Sequence, residues 1–130
     1  MKDTMGHRIR VRYAETDRMG VVYYANYFVW MEVGRVESLR QKGLVYKDLE
    51  DQGIHLPVVE TGCKYKTQVC YDDEIDVIVR IDSVGRASIV FSYSFVRDGD
   101  EVAAGFSRHA FVNRQGHPIP VPEFILDVLI

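Results

Sequence analysis

The sequence predicts an α+β fold in which a curved antiparallel sheet wraps one long buried helix. Three observations lead there. From Tyr27 to Met31 every residue is apolar or aromatic, too continuous a run for a helix that meets a core along one stripe. Downstream, long segments alternate apolar and polar residues with the period of a strand. The signals between those segments, Gly85-Arg86 and Asp98-Gly99, are short turns that make neighbours antiparallel. A single apolar helix followed by a meander of long strands is best buried by a sheet curved around it.

Each element follows in order. Residues 8–13 read as a first strand, with Ile9, Val11 and Tyr13 on one side and arginines on the other. A loop over residues 14–24 precedes Asn26, an expected N-cap for a helix running to about Lys42 and closed by Gly43. A short second helix is expected over residues 46–52, ending at Gly53. Residues 54–69 form a long extended segment, bent or bulged. Residues 74–82 then alternate, with Ile75, Val77, Val79 and Ile81 inward. In residues 87–97, Ile89, Phe91, Tyr93 and Phe95 share a face. The last long strand is expected over residues 101–113. Pro118, Pro120 and Pro122 argue against regular structure in the tail.

The chain of 130 residues reads as one domain, residues 1–130, long enough for a substantial core. Its net charge of −3 gives no global basic field for a nucleic-acid backbone. No run of residues suits a membrane span or a signal peptide, so the expected location is cytoplasmic. Cys63 and Cys70 would lie about 20 Å apart on opposite faces if they shared one strand, which forbids a disulfide between them. His7, His55, His109 and His117 have no ligand spacing, so no metal site is expected. There is also no Gly-x-Ser-x-Gly elbow and no phosphate loop.

The chemistry concentrates in Tyr13-Ala14-Glu15-Thr16-Asp17-Arg18-Met19-Gly20-Val21-Val22-Tyr23-Tyr24-Ala25-Asn26-Tyr27. The stretch places the carboxylate of Asp17 a few residues before a helix start, where backbone N–H groups lack partners. Such N–H groups can stabilise charge growing on a carbonyl oxygen, while the carboxylate attacks or activates water. An acid before a glycine turn also serves simply as a turn-former.

This stretch, continued to VRYAETDRMGVVYYANYFVWMEVGR, resembles the hotdog-fold acyl-CoA thioesterases of the 4-hydroxybenzoyl-CoA thioesterase and YbgC-like type. Weaker likeness extends through Leu56-Pro57-Val58-Val59-Glu60, Tyr71-Asp72-Asp73-Glu74 and Gly85-Arg86-Ala87-Ser88. The resemblance implies a hotdog fold and hydrolysis of an acyl-CoA to a free acid and coenzyme A. It assigns the catalytic aspartate to Asp17, as nucleophile or general base, and the carbonyl-polarising amide to Tyr24. It also implies a phosphate contact at Arg86; Gly20, Val21, Tyr23 and Tyr27 are expected beside the substrate, although core packing explains the cluster of Tyr13, Tyr23, Tyr24 and Tyr27 at least as well as an acyl pocket does. Coenzyme A enters only as part of the substrate, with no separate cofactor. A homodimer or homotetramer is expected, because an isolated wrapped sheet leaves edges uncovered.

Some YbgC-like relatives carry histidine where this chain has Tyr24, so a route through imidazole is closed here and one through the backbone amide survives. Glu32 is the rival carboxylate, with an ion pair to Arg35 as its ordinary explanation. Lys64 and Lys66 are weaker phosphate candidates than Arg86. Alternative readings are an acyl-CoA-binding module without turnover, an acyl-carrier-protein thioesterase, or a hydratase that brings His55 or His109 to the Asp17 loop through the fold.

Overall fold

Alternation in the sequence becomes two long hairpins at the centre of one sheet. In the computed structural model, which describes residues 5–129, β3 (Glu74–Val84), β4 (Ser88–Arg97) and β5 (Asp100–Ala110) pair antiparallel in succession. Residues 1–4 and 130 of the expected domain lie outside the described residues. Between β4 and β5, Asp98 and Gly99 both hold positive φ (52° and 84°), the twist a two-residue hairpin requires. β1 (Met5–Arg10) adds to the outer edge of β3 and β2 (Val58–Tyr65) to that of β5, giving the order β1-β3-β4-β5-β2.

Helix α1 (Asn26–Gln41) lies across the inner face of this sheet. Close approach is built into two glycines. A Cβ on Gly34 of α1 would stand 2.6 Å from Val77 Cγ1, and one on Gly105 of β5 would stand 2.3 Å from Met31 Cε. Trp30, Met31, Phe91 and Phe95 are fully buried between helix and sheet, each worth about 1.5–3 kcal/mol or more of apolar burial. The helix is not enclosed on all sides as its sequence suggests. Tyr27, Trp30 and Met31 are buried, but Val29 remains 51% exposed on the side away from the sheet.

Three further differences from the sequence expectation have local causes. The first strand stops at Arg10, and Tyr13 turns outward in a 3-10 turn, Tyr13–Glu15, to stack on Tyr71 at 3.9 Å. The extended segment over residues 54–69 is a strand only as β2, with a bulge between Val58 and Glu60, while His55 instead bridges to Val112. The proline-rich tail ends in a helix, α3 (Glu123–Leu129). Its first turn hangs on the Pro122 carbonyl, which accepts Ile125 N and Leu126 N; a proline at a helix start gives up no bond. Helix α2 (Tyr46–Asp51) follows expectation. Among the described residues no helix is long and apolar enough to cross a membrane.

Candidate active site

The loop from Arg12 to Ala25 is a miniature hairpin. Asp17 N donates to Val21 O at 2.9 Å, Gly20 N donates to Asp17 O at 3.0 Å, and Thr16 bridges to Val22. Gly20 sits at φ 79°, a conformation open to glycine at no steric cost. The Asp17 carboxylate is exposed and accepts one bond, from Met19 N at 2.8 Å. Arg18 forms no ion pair with it among the described residues. The far side of the hairpin is fixed to the sheet end, where Val22 N donates to Val69 O at 2.7 Å and Val21 bridges to Cys70.

Past the hairpin the chain enters α1 without a side-chain cap. Ala25 occupies the cap position in a helical conformation. Asn26, expected there, is the first helical residue, and its Nδ2 donates back to Glu15 O at 2.9 Å. Asn26, Tyr27 and Phe28 donate their amides to the carbonyls of Tyr23, Tyr24 and Ala25. Tyr23 N is used by Glu15 O at 2.8 Å. The amides of Tyr24 and Ala25 find no acceptor among the described residues. They therefore form a donor pair at the positive end of a helix of 16 residues.

Beside them is a pocket of about 260 Å³, walled by Val21, Tyr24 and Tyr27 on one side and Tyr65, Gln68 and Val69 on the other. Tyr65 meets Tyr27 edge-on at 4.9 Å and donates its hydroxyl to Tyr24 O at 3.2 Å. Burial is the main cause pushing both the Tyr27 and Tyr65 phenols up to about 12, so both stay protonated at neutral pH. Opposite the hairpin, Arg97 ties the floor together by donating to Gln68 O and to Asp73 Oδ2, each at 2.9 Å.

Of the residues singled out in the sequence, Val21, Tyr24 and Tyr27 meet at this pocket, and Asp17 and Gly20 stand in the hairpin that forms its wall. The Tyr23 ring lies outside it, tilted against Tyr24 at 4.8 Å. Arg86 is exposed in the turn between β3 and β4, with its carbonyl accepting Val121 N. Arg86 is thus at the opposite end of the ten-residue strand β4 from Arg97, about 30 Å away in the same chain. Lys66 is held by Glu101.

Glu32 lies further along α1 by about 9 Å of helix rise, beside a second hollow of about 180 Å³ shared with Phe28, Met31, Arg35, Thr61 and Ser107. Its expected ion pair is absent among the described residues. Arg35 instead donates to the Tyr93 hydroxyl at 3.1 Å. From there a buried chain runs through Ser107 Oγ (2.6 Å) to His109 Nε2 (2.8 Å), and His109 Nδ1 lies 3.0 Å from Leu56 O. A carbonyl only accepts, so Nδ1 carries the proton and Nε2 accepts from Ser107. His109 therefore does not approach the Asp17 loop, and His55 lies instead near Glu50, 3.7 Å from its carboxylate. A hydratase pair has no histidine at this site. Among the described residues no group of three or more His, Cys, Asp or Glu could hold a metal ion.

Sequence reasoning missed Glu15. It is 6% exposed and accepts Arg12 N at 2.8 Å on one carboxylate oxygen and Trp30 Nε1 at 2.9 Å on the other. Burial works to raise its carboxyl, but the Arg12 amide, the Trp30 indole and the Arg12 guanidinium outweigh it and hold the group below the usual glutamate range. Reading Tyr13 as inward-facing hid this, because the same alternation treats residue 15 as one more strand or loop position.

Residues 11–129 match the thioesterase-like superfamily. The chain belongs to that superfamily. This thioester hydrolase is 31% identical over 88 residues to the acyl-CoA thioester hydrolase YbgC of Escherichia coli O6:H1, covering 68% of this chain and 66% of that one. Its fold matches the crystal structure of a hypothetical protein from Aquifex aeolicus with a TM-score of 0.93, at 33% identity over 96% of this chain and 98% of that one. It also matches the DHNA-CoA thioesterase of Staphylococcus aureus with a TM-score of 0.89, at 30% identity over 95% and 85% of the two chains. The curved antiparallel sheet with its central helix is the hotdog fold of these thioesterases.

Proposed function

We propose that the enzyme hydrolyses an acyl-CoA, with Asp17 and the Tyr24 amide as the reacting pair. The observation that carries this reading is the Tyr24 N–H, without an acceptor among the described residues, at an uncapped helix start beside an aromatic-walled pocket. A thioester carbonyl set against that amide, with Ala25 N beside it, would gain a hydrogen bond that strengthens as the oxygen becomes anionic. Removing one such donor costs about 10²–10³ in rate in other enzymes.

Asp17 then acts in one of two ways from the same position. As a general base it takes a proton from water as the water oxygen bonds to the carbonyl carbon. As a nucleophile it bonds to that carbon itself, and water cleaves the resulting anhydride. In either route the C–S bond breaks, the thiolate of coenzyme A leaves and takes up a proton, and the acid is released. No metal or separate cofactor enters. The rings of Tyr24, Tyr27 and Tyr65 suit an aryl or compact branched acyl group, and the Staphylococcus aureus relative is named for a CoA thioester.

Arg86 fits this reading only through another copy of the chain, since its own pocket is a strand length away. The outer edge of β2, with Val58 and Val59 exposed, is a site for such pairing. In a homodimer or homotetramer of this kind, Arg86 of one copy would meet the phosphates of coenzyme A bound to the next.

The test is thiol release from aryl, short and long straight-chain acyl-CoAs by the wild type and by Asp17→Asn. Asp17→Asn is expected to lose about 10²–10⁴ in turnover while keeping its fold and its affinity for the acyl-CoA. Binding of acyl-CoA without any thiol release by the wild type would favour a module without turnover, or an acyl carrier protein as the true thiol carrier.

A further inference from the structure

Asp17 and the Tyr24 amide stand on separate pieces of chain. The Thr16–Val22 bridge closes the hairpin, and Val22 N on Val69 O with the Val21–Cys70 bridge ties its far side to the sheet, but none of these bonds reaches α1. The hydrogen bonds that join the Asp17 side of the hairpin to α1 run through Glu15. Its backbone carbonyl accepts Tyr23 N at 2.8 Å, on the residue just before Tyr24. The same carbonyl accepts Asn26 Nδ2 at 2.9 Å, from the first residue of α1. One oxygen of its carboxylate accepts Trp30 Nε1 at 2.9 Å, from the second turn of α1, and the other accepts Arg12 N at 2.8 Å, where the loop leaves β1. Two residues later comes Asp17.

We infer that Glu15 is a positioning residue: its carboxylate and carbonyl lock the Asp17 hairpin to the first two turns of α1, and so set the carboxylate of Asp17 against the amide of Tyr24. The inference rests on the reading above, in which those two groups act together. Three properties separate it from a buried acid that merely fills space. All four bonds accept from donors on the elements that carry the reacting pair. Both Glu15 and Trp30 are nearly inaccessible, at 6% and 2% exposure, so water does not substitute for a lost bond. The acid is held in its charged form by the Arg12 amide, the Trp30 indole and the Arg12 guanidinium, which together outweigh its burial.

Glutamine is the sharpest substitution, because it keeps the shape and replaces one acceptor by a donor. Either the Trp30 indole or the Arg12 amide then faces an N–H. Misplacement of a reacting group by about 1 Å can cost 10²-fold in rate, so Glu15→Gln is expected to lower kcat about 10- to 100-fold with KM within about threefold of wild type. Trp30 is the only tryptophan in the chain, so its emission reports directly on the bond. The spectrum should shift in Glu15→Gln and be restored towards wild type, together with part of kcat, in Glu15→Asp.

If Glu15→Gln does not fold, Trp30→Phe and Asn26→Ala test the same bonds from the other side. Each should lower kcat several-fold at nearly constant KM. Wild-type kcat in a folded Glu15→Gln, or in both Trp30→Phe and Asn26→Ala, overturns the inference, as does a loss confined to KM. Those outcomes presuppose an active wild type. A wild type that releases no thiol from any acyl-CoA removes the proposed function, and this inference with it.

Discussion

Helix α1 has a buried polar network near each of two stretches, and the two networks solve burial in opposite ways. At its start, Glu15 is buried as a charged group, because two strong N–H donors and a guanidinium face its oxygens. Midway along, His109 is buried as a neutral group, because its neighbours are a hydroxyl and a carbonyl that ask for one acceptor and one donor. Burial is the main cause pushing the His109 imidazole down to about 4, with Arg35 adding to the effect and the Leu56 carbonyl opposing it. Both pKa values move downward, yet one shift preserves a charge and the other prevents one. The partners, and not depth alone, decide the protonation state.

The networks also differ in what they leave open. In the His109 chain the Tyr93 hydroxyl, the Ser107 hydroxyl and the His109 Nδ1–H each donate to the next group, ending on the Leu56 carbonyl. The Glu15 network anchors a helix start where the amides of Tyr24 and Ala25 have no acceptor among the described residues. A closed chain suits stability, and an anchored opening suits chemistry. The largest expected effects on turnover therefore fall at Asp17 and then Glu15, and changes at His109 should act on folding.

His109→Ala would sharpen this division most. It leaves Ser107 and the Leu56 carbonyl without their partner in a site 0% exposed for the imidazole, with a cavity besides. The expected loss is about 3 kcal/mol in unfolding free energy, measured by chemical denaturation. Turnover per folded molecule should be unchanged. A folded His109→Ala protein with kcat reduced as far as in Asp17→Asn would erase the distinction between the two networks.

Next comes pH. In the unfolded chain the imidazole titrates near 6.5, and in the folded chain at about 4. Above pH 6.5 both states are neutral and the full stability is present. As pH falls from 6.5 to about 4 the unfolded chain binds the proton first, so stability drops by an amount on the order of 3 kcal/mol. The Glu15 carboxyl, also lowered from 4.5, adds its loss only below that value, as acid reaches the folded group. Denaturation midpoints measured across pH 7.5 to 3.5 should show the first decline in wild type and a flatter profile in His109→Ala. An equal slope in both would remove histidine as its cause.

How much of this could be read from the sequence depended on the range of the interactions. Local patterns were reliable: the inward faces of β3 and β4, the Asp98-Gly99 turn and the end of α1 before Gly43 all depend on neighbours a few residues apart. The proline tail misled because the ring forbids an N–H only where a helix needs one, and Pro122 stands just ahead of that point. Asn26 misled because its amide serves Glu15, 11 residues back, and not its own helix. Glu15 with Trp30, and His109 with Leu56, are separated by 15 and 53 residues. No spacing rule reaches that far. The hairpin of Asp17 was legible as a motif, whereas the distance from Arg86 to the pocket became plain only once β4 was laid between them.

The smallest expected effect and the largest can be read in one experiment. Thiol release on the best acyl-CoA should be compared in Asp17→Asn and Glu32→Gln, one carboxylate in the hairpin before α1 and one in the middle of α1. Turnover of Asp17→Asn should fall about 10²–10⁴-fold, and that of Glu32→Gln should stay within about threefold of wild type. A Glu32→Gln protein that loses turnover while Asp17→Asn keeps it would rule out Asp17 as the reacting acid and move the chemistry to the second hollow.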